Sequence, residues 1–204
     1  MLDSDIEDII RQYKILTSEI DNYKKGDIYP SENSPIVIKD EVKLLKPAKW
    51  GFPLQGKKRL VINARSEAIM EKPMFRDAFY GSRCIIPANL FYEWKDEGNK
   101  KKTKHKIYLK DQKILSLGGI YKSIIDESGK ENLSFVIITT EANNYMKDIH
   151  SRMPLIIDDE VLDYWLDGNS SIRLLKKIFD SNMSKALTTE AVDKDEPFEQ
   201  LRLF

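Results

Sequence analysis

Short runs of apolar residues, often alternating with polar ones and punctuated by turn residues, dominate the chain; helical spacing is confined to a few stretches. Over residues 3–16, Ile6, Ile9, Ile10 and Tyr13 fall on one face of a helix that Asp3 or Ser4 can cap. Pro30, Ser34 and Pro35 mark a loop, and residues 36–38 and 60–62 are short β-branched strands. Between them Trp50-Gly51-Phe52-Pro53 is too rich in turn formers for a helix. Pro73 opens a helix to Tyr80, where its missing N–H costs nothing. Residues 83–86 and 90–94 read as strands broken at Pro87, and 99–106 as a charged hairpin tip. Further strands are expected at 107–109, 115–117 and 135–138, with Gly118-Gly119 as a bend. Thr139 or Thr140 can cap a helix to about residue 149, two more helices fall at 158–166 and 171–179, and 189–204 is an extended acidic tail. With no repeat and no long linker, the pattern predicts a single α+β domain over 1–204 with a mostly antiparallel core.

Composition narrows the class. The 204 residues suffice for one compact domain. No apolar run approaches a membrane span, and the start Met1-Leu2-Asp3-Ser4-Asp5 is acidic, unlike an export leader. A single cysteine excludes an internal disulfide and a four-cysteine zinc site. A cytoplasmic monomer without metal or cofactor is expected. Lys+Arg and Asp+Glu both total 33, so bulk charge gives no support to a nucleic-acid partner, although a neutral chain can still carry a basic groove.

Several polar residues invite chemistry. Asn63 and Arg65 alternate and so point to one side of an extended backbone, an amide beside a guanidinium, suited to phosphate or carbonyl. Glu93 sits between aromatics on a strand, where burial would raise its pKa and let it donate a proton near neutrality. His150, before Arg152 and Pro154, can shuttle a proton. Plainer readings stand beside these. Asn63 can satisfy a turn, Arg65 can pair with Glu67 or Glu93, and His150 can answer a helix dipole. Cys84 reads as a small core residue, His105 as solvated, and the lysines of 100–106 as a soluble tip rather than a DNA patch.

Four strings together change the weighing. Asn-Ala-Arg-x-Glu from Asn63, Glu-Lys-Pro-x-Phe-Arg from Glu71, Arg-Cys-x-Ile-Pro-Ala-x-x-Phe-Tyr-Glu-Trp from Arg83 and His-x-Arg-Met-Pro from His150 occur in order. They resemble the core pattern of the SOS-response-associated peptidase (SRAP) family and cover about half the chain, from Trp50 to Pro154. The resemblance implies a pseudo-barrel of antiparallel strands flanked by helices. It implies binding of single-stranded DNA containing abasic sites, capture of those sites by an N-terminal cysteine, self-processing peptidase activity and a lyase step. By the same resemblance Asn63, Glu93 and His150 are the catalytic residues, and Trp50, Arg65, Thr139 and Arg152 contact DNA.

The chain departs from the family in two places. Family members begin Met-Cys-Gly-Arg and carry a short strand before the first helix; here Met1-Leu2-Asp3 leads directly into the expected helix. A start placed too late would account for the missing cysteine. A second tryptophan often found near Trp50 is replaced by Leu54, Gln55 and Gly56. Besides abasic-site processing, a non-catalytic single-stranded DNA binder and a hydrolase using Cys84 with His150 remain as alternatives.

Overall fold

Side chains alternate across strands, and in this computed structural model that alternation sorts the apolar residues into two layers. Residues 1–54, 56, 59–126 and 129–192 are described. In chain order the elements are helix α1 (Ile6–Tyr13) and strands β1 (Thr17–Ser18), β2 (Asn33–Lys39), β3 (Lys43–Trp50), β4 (Phe52–Pro53), β5 (Leu60–Val61) and β6 (Asn63–Arg65). Helix α2 (Pro73–Gly81) and strands β7 (Arg83–Ala88), β8 (Phe91–Asp96), β9 (Lys102–Tyr108), β10 (Leu115–Ile125), β11 (Glu131–Glu141) and β12 (Arg152–Pro154) follow. Helices α3 (Leu162–Leu166) and α4 (Ile172–Ser181) precede strand β13 (Thr188–Ala191).

Strands β3, β2, β7, β10 and β11 pair in that order, and β11 returns to β3, closing a five-stranded barrel. All pairings in it are antiparallel except β11 with β3; β6 also joins β11 in parallel. Ile36, Ile38, Cys84, Ile86, Leu117, Phe135 and Ile137 form the interior cluster. Their neighbours Val37, Leu45, Ile85, Ile120, Val136 and Ile138 point outward and pack with residues of all four helices, among them Ile9, Phe79, Trp165 and Ile178. A separate antiparallel sheet, β8–β9–β13, turns Phe91 and Ile107 into the interior cluster. The α+β, mostly antiparallel barrel flanked by helices is the fold the sequence implied.

Local expectations fail where tertiary contacts outweigh punctuation. Gly118 and Gly119 do not bend the chain; both lie within β10, and a Cβ on Gly119 would stand 2.4 Å from Ile86 Cδ1 and 2.7 Å from the Val136 carbonyl. The glycine permits close backbone approach. Pro87 does not break its strand: it lies within β7, opposite Ser116 of β10. Ser34 and Pro35, expected in a loop, lie in β2. Thr139 and Thr140 cap no helix: both continue β11, and residues 144–149 are turns anchored by Asn143, whose amide donates to the carbonyls of Asn182 and Lys185. The first helix is shorter than expected, starting at Ile6, and neither Asp3 nor Ser4 is its N-cap. Residues before it are extended, with Leu2 bridging Gly26. The helix expected at 158–166 is a 3-10 turn followed by the short α3. The expected tail begins as β13, paired with β9; residues 193–204, like Gln55, lie outside the described residues.

Candidate functional site

One mouth of the barrel is not filled. Interior residues Ile86, Leu117, Phe135 and Ile137 form the floor of a cavity of about 580 Å³, and its polar rim includes Asn63, Glu93 and Thr139. Asn63 stands on β6 beside Ile137 of β11, and Arg65 beside Thr139, so the parallel β6–β11 pairing aligns three of the expected residues. Asn63 and Arg65 are exposed on either side of the buried Ala64, as alternation requires.

Glu93 projects from β8, and its Oε1 lies 3.9 Å from Nδ1 of His150. Burial pushes the Glu93 carboxyl above the usual carboxylate range; His150 and the Trp94 N–H only partly oppose the shift. His150 follows a run of turns rather than ending a helix, so the helix-dipole reading does not apply. Its Nδ1 is 3.1 Å from both the N–H and the carbonyl oxygen of Arg152. When neutral the ring can accept from that N–H; when protonated it can donate to the carbonyl or to Glu93.

Arg152 makes a bidentate pair with Glu67 at 2.8 and 2.9 Å and donates to the Thr139 carbonyl at 2.6 Å. These bonds hold the Glu67 carboxyl below its ordinary pKa. The ion pair that the sequence suggested for Arg65 therefore belongs to Arg152, and the Arg65 guanidinium makes no hydrogen bond or ion pair among the described residues. Trp50 ends β3 at the cavity wall, its Nε1 donating to the Ile62 carbonyl at 3.0 Å and its ring stacked on Phe135.

Sequence reasoning missed four contributors. The α-amine of Met1 enters the cavity and donates to the Leu90 carbonyl at 3.1 Å. Burial lowers its pKa from 8.0 to about 6. Tyr92, Trp94 and Lys104 also line the cavity. Tyr92 and Trp94 were legible as motif letters, but Met1 and Lys104 reach the site only through pairings with distant chain. His105, expected in solvent, is half-buried opposite Glu93, with its Nδ1 buried and lacking a hydrogen-bond partner among the described residues. Cys84 is fully buried in the barrel interior, which pushes its thiol pKa far up. A hydrolase built on that cysteine is thereby set aside. Among the described residues no group of His, Cys, Asp and Glu could hold a metal, and no helix is long and apolar enough to cross a membrane.

Known proteins resemble this chain in sequence and in fold. The chain is 37% identical over 176 residues to the abasic site processing protein YoqW of Bacillus subtilis, covering 82% of this chain and 79% of that one. It is 29% identical over 175 residues to the abasic site processing protein HMCES of Xenopus tropicalis, covering 68% and 52%. A crystal structure of a Bordetella bronchiseptica protein superposes with a TM-score of 0.80 at 20% identity, covering 94% of this chain and 97% of that one. The family model for SOS response associated peptidase (SRAP) matches residues 1–195, and the chain belongs to that family.

Proposed function

We propose that this protein binds single-stranded DNA containing abasic sites and processes the lesion through an imine formed in the barrel mouth. The observation that carries this reading is the meeting of Glu93 and His150, 3.9 Å apart, at a cavity that also holds a buried amine. The names of the relatives, abasic site processing proteins, support abasic sites as the lesion.

The chemistry follows from these groups. An amine attacks the aldehyde carbon of the ring-opened sugar, and the carbonyl oxygen takes a proton. A second proton leaves the nitrogen, water departs, and a carbon–nitrogen double bond remains. Glu93, whose carboxyl burial pushes upward, can donate to the departing oxygen, and His150 can pass a proton to or from it. Removing a proton from the carbon beside the imine then expels the 3′ phosphate oxygen, a lyase step. Self-removal of a leading residue would use the same acid–base pair. Asn63 would orient the sugar, Arg65, Thr139 and Arg152 would meet the DNA backbone, and Trp50 would stack on a base. All these groups come from one chain, so the chemistry needs no second subunit.

Capture as a stable thiazolidine additionally needs a thiol on the residue that bears the amine. Met1 carries a thioether, Leu2 no sulfur, and Cys84 is sealed in the interior. An imine on an amine without such a thiol is reversible, whereas a cysteine bearing the amine would close the ring. The test mixes the protein with an abasic oligonucleotide and runs a denaturing gel, with and without borohydride. A shifted band should appear only under reduction, and its yield should rise as pH passes through about 6, where the Met1 amine loses its proton. Met1→Cys, exposed by removal of a preceding initiator methionine, should give a heat-stable band without reductant. A heat-stable band from the unaltered chain would sink the thiol argument. No band even under reduction would leave a DNA-binding protein without this chemistry.

A further inference from the structure

The first residues of a chain fray unless something ties them down, yet the Met1 amine lies inside the cavity. Two segments hold it there. On one side Leu2 forms an antiparallel bridge with Gly26, the Leu2 N–H donating to the Gly26 carbonyl at 2.9 Å and the Gly26 N–H to the Leu2 carbonyl at 2.8 Å. On the other side lies the link between β7 and β8, made of Asn89 and Leu90. The Leu90 carbonyl accepts from the Met1 amine at 3.1 Å, and the Asn89 N–H donates to the Met1 carbonyl at 3.0 Å.

The Asn89 side chain extends this grip. Its Oδ1 accepts from the Asp3 N–H at 2.6 Å, and its Nδ2 donates to Ser4 Oγ at 2.9 Å and to the Lys113 carbonyl at 2.6 Å. A carboxamide, unlike a hydroxyl or a carboxylate, presents one acceptor atom and two donor hydrogens in one plane. Asn89 therefore fastens the residues before α1, of which Leu2 and Ser4 are fully buried, to the chain ahead of β10. The same link runs straight into β8, which carries Glu93. One short stretch of chain thus places both the amine and the acid.

We infer that Asn89 is a positioning residue, whose side chain holds Asp3 and Ser4 so that the Met1 amine stays in the cavity that Glu93 lines. The inference rests on the reading of that amine as the nucleophile. Its consequence is chemical. Burial holds the amine pKa at about 6 rather than 8.0; Asp27 and Lys104 act on it more weakly and in opposite senses, and Glu93 and Tyr92 also line the cavity. An amine released to water regains its ordinary pKa, so at neutral pH it is mostly protonated and not nucleophilic.

The experiment reads the amine without DNA. The full chain, with Met1 confirmed by intact mass, is treated with glycolaldehyde and cyanoborohydride across a pH series, and alkylation of the Met1 peptide is followed by mass spectrometry. The unaltered protein should show a midpoint at about 6. Asn89→Ala should move the midpoint towards 8.0 and lower the rate at neutral pH by up to about 10-fold, the ratio of neutral amine at those two pKa values. In alkali the rate should recover. A merely structural loss would cut the rate by one factor at every pH and leave the midpoint in place. Ser4→Ala removes one bond of the clamp and leaves the Lys113 bond intact. It should move the midpoint the same way by less, and it decides the question if Asn89→Ala does not fold. An unmoved midpoint in the folded variant, or a midpoint near 8.0 in the unaltered protein, overturns the clamp. If the variants shift the midpoint as expected but the unaltered protein traps no abasic oligonucleotide, the functional reading falls and the clamp stands.

Discussion

Arg83 and Glu93 are both ionisable groups drawn in from solvent, yet they are treated in opposite ways. Arg83 lies in the layer between barrel and helices and is 4% exposed. Its guanidinium donates to the carbonyls of Phe79 and Tyr80 in the last turn of α2, and to those of Trp165 and Asp167 at the end of α3. The Phe79 and Trp165 rings lie 5.8 Å from it. Its positive charge thus sits where two helices present unpaired carbonyls and the negative ends of their dipoles. Glu93, at the barrel mouth, has the Trp94 N–H and a histidine 3.9 Å away, and burial works against its charged form. Nearby, Arg152 Nε and His105 Nδ1 are buried without partners among the described residues. A buried charge whose every nitrogen donates to a carbonyl fixes structure; one left partly unsatisfied is poised to exchange protons or ligands.

The comparison is broken most forcefully by exchanging the two roles. Glu93→Gln should lower the yield rate of borohydride-trapped adduct by about 10²–10⁴-fold, the usual worth of a positioned acid–base group. Its thermal unfolding should stay within about 0.5 kcal/mol of the unaltered protein, since a neutral amide replaces a group that burial already disfavours as an anion. Comparable losses in both measurements would mean that Glu93 is structural.

Arg83→Ala should do the reverse. Carbonyls at two helix ends lose a charged donor, and a cost of about 3 kcal/mol is expected in denaturant unfolding. Residual folded protein should trap abasic DNA at a normal rate. Retained stability would show that water replaces the guanidinium.

A smaller effect separates barrel from helices. Gly119→Ala places a Cβ against the Val136 carbonyl, which belongs to the barrel backbone and cannot rotate away. A loss of about 1–3 kcal/mol is expected from overpacking, read as a lower midpoint with an unchanged slope. No loss would mean that the strands have room to separate.

Glu67→Gln is the mildest. The carboxylate is half exposed, so losing the bidentate pair should cost no more than about 1 kcal/mol. Arg152 would then be freer to meet phosphate, and affinity for single-stranded DNA should rise a few-fold at low salt. A fall in affinity would show that Glu67 positions Arg152 rather than occupying it.

Much of this was legible in order along the chain. The alternation of Ile36 and Ile38 against Val37, and of Phe135 and Ile137 against Val136, declared strands with two apolar faces. Side-chain period is a local property of the backbone. The motif strings put Asn63, Glu93 and His150 in one family pattern, and the structure gathers them around one cavity or within 3.9 Å of its rim. Turn signals were less dependable. Pro35, Pro87 and Gly118-Gly119 all lie inside strands, because closing the barrel rewards continuous pairing and close packing more than it penalises a missing donor or a missing Cβ.

What no local pattern could supply was the choice of partners across long separations. Glu67 pairs with Arg152, 85 residues away, rather than with its neighbour Arg65. Met1 reaches the cavity because its amine meets Leu90, 89 residues on. Lys104 faces the cavity rather than solvent because β9 pairs with β8 in a register that sets it opposite Trp94. Periodicity tells which side chains share a face, but register tells what that face meets. A shift of one residue turns every side chain to the other side, so the composition of the mouth was decided only when the strands found their pairing.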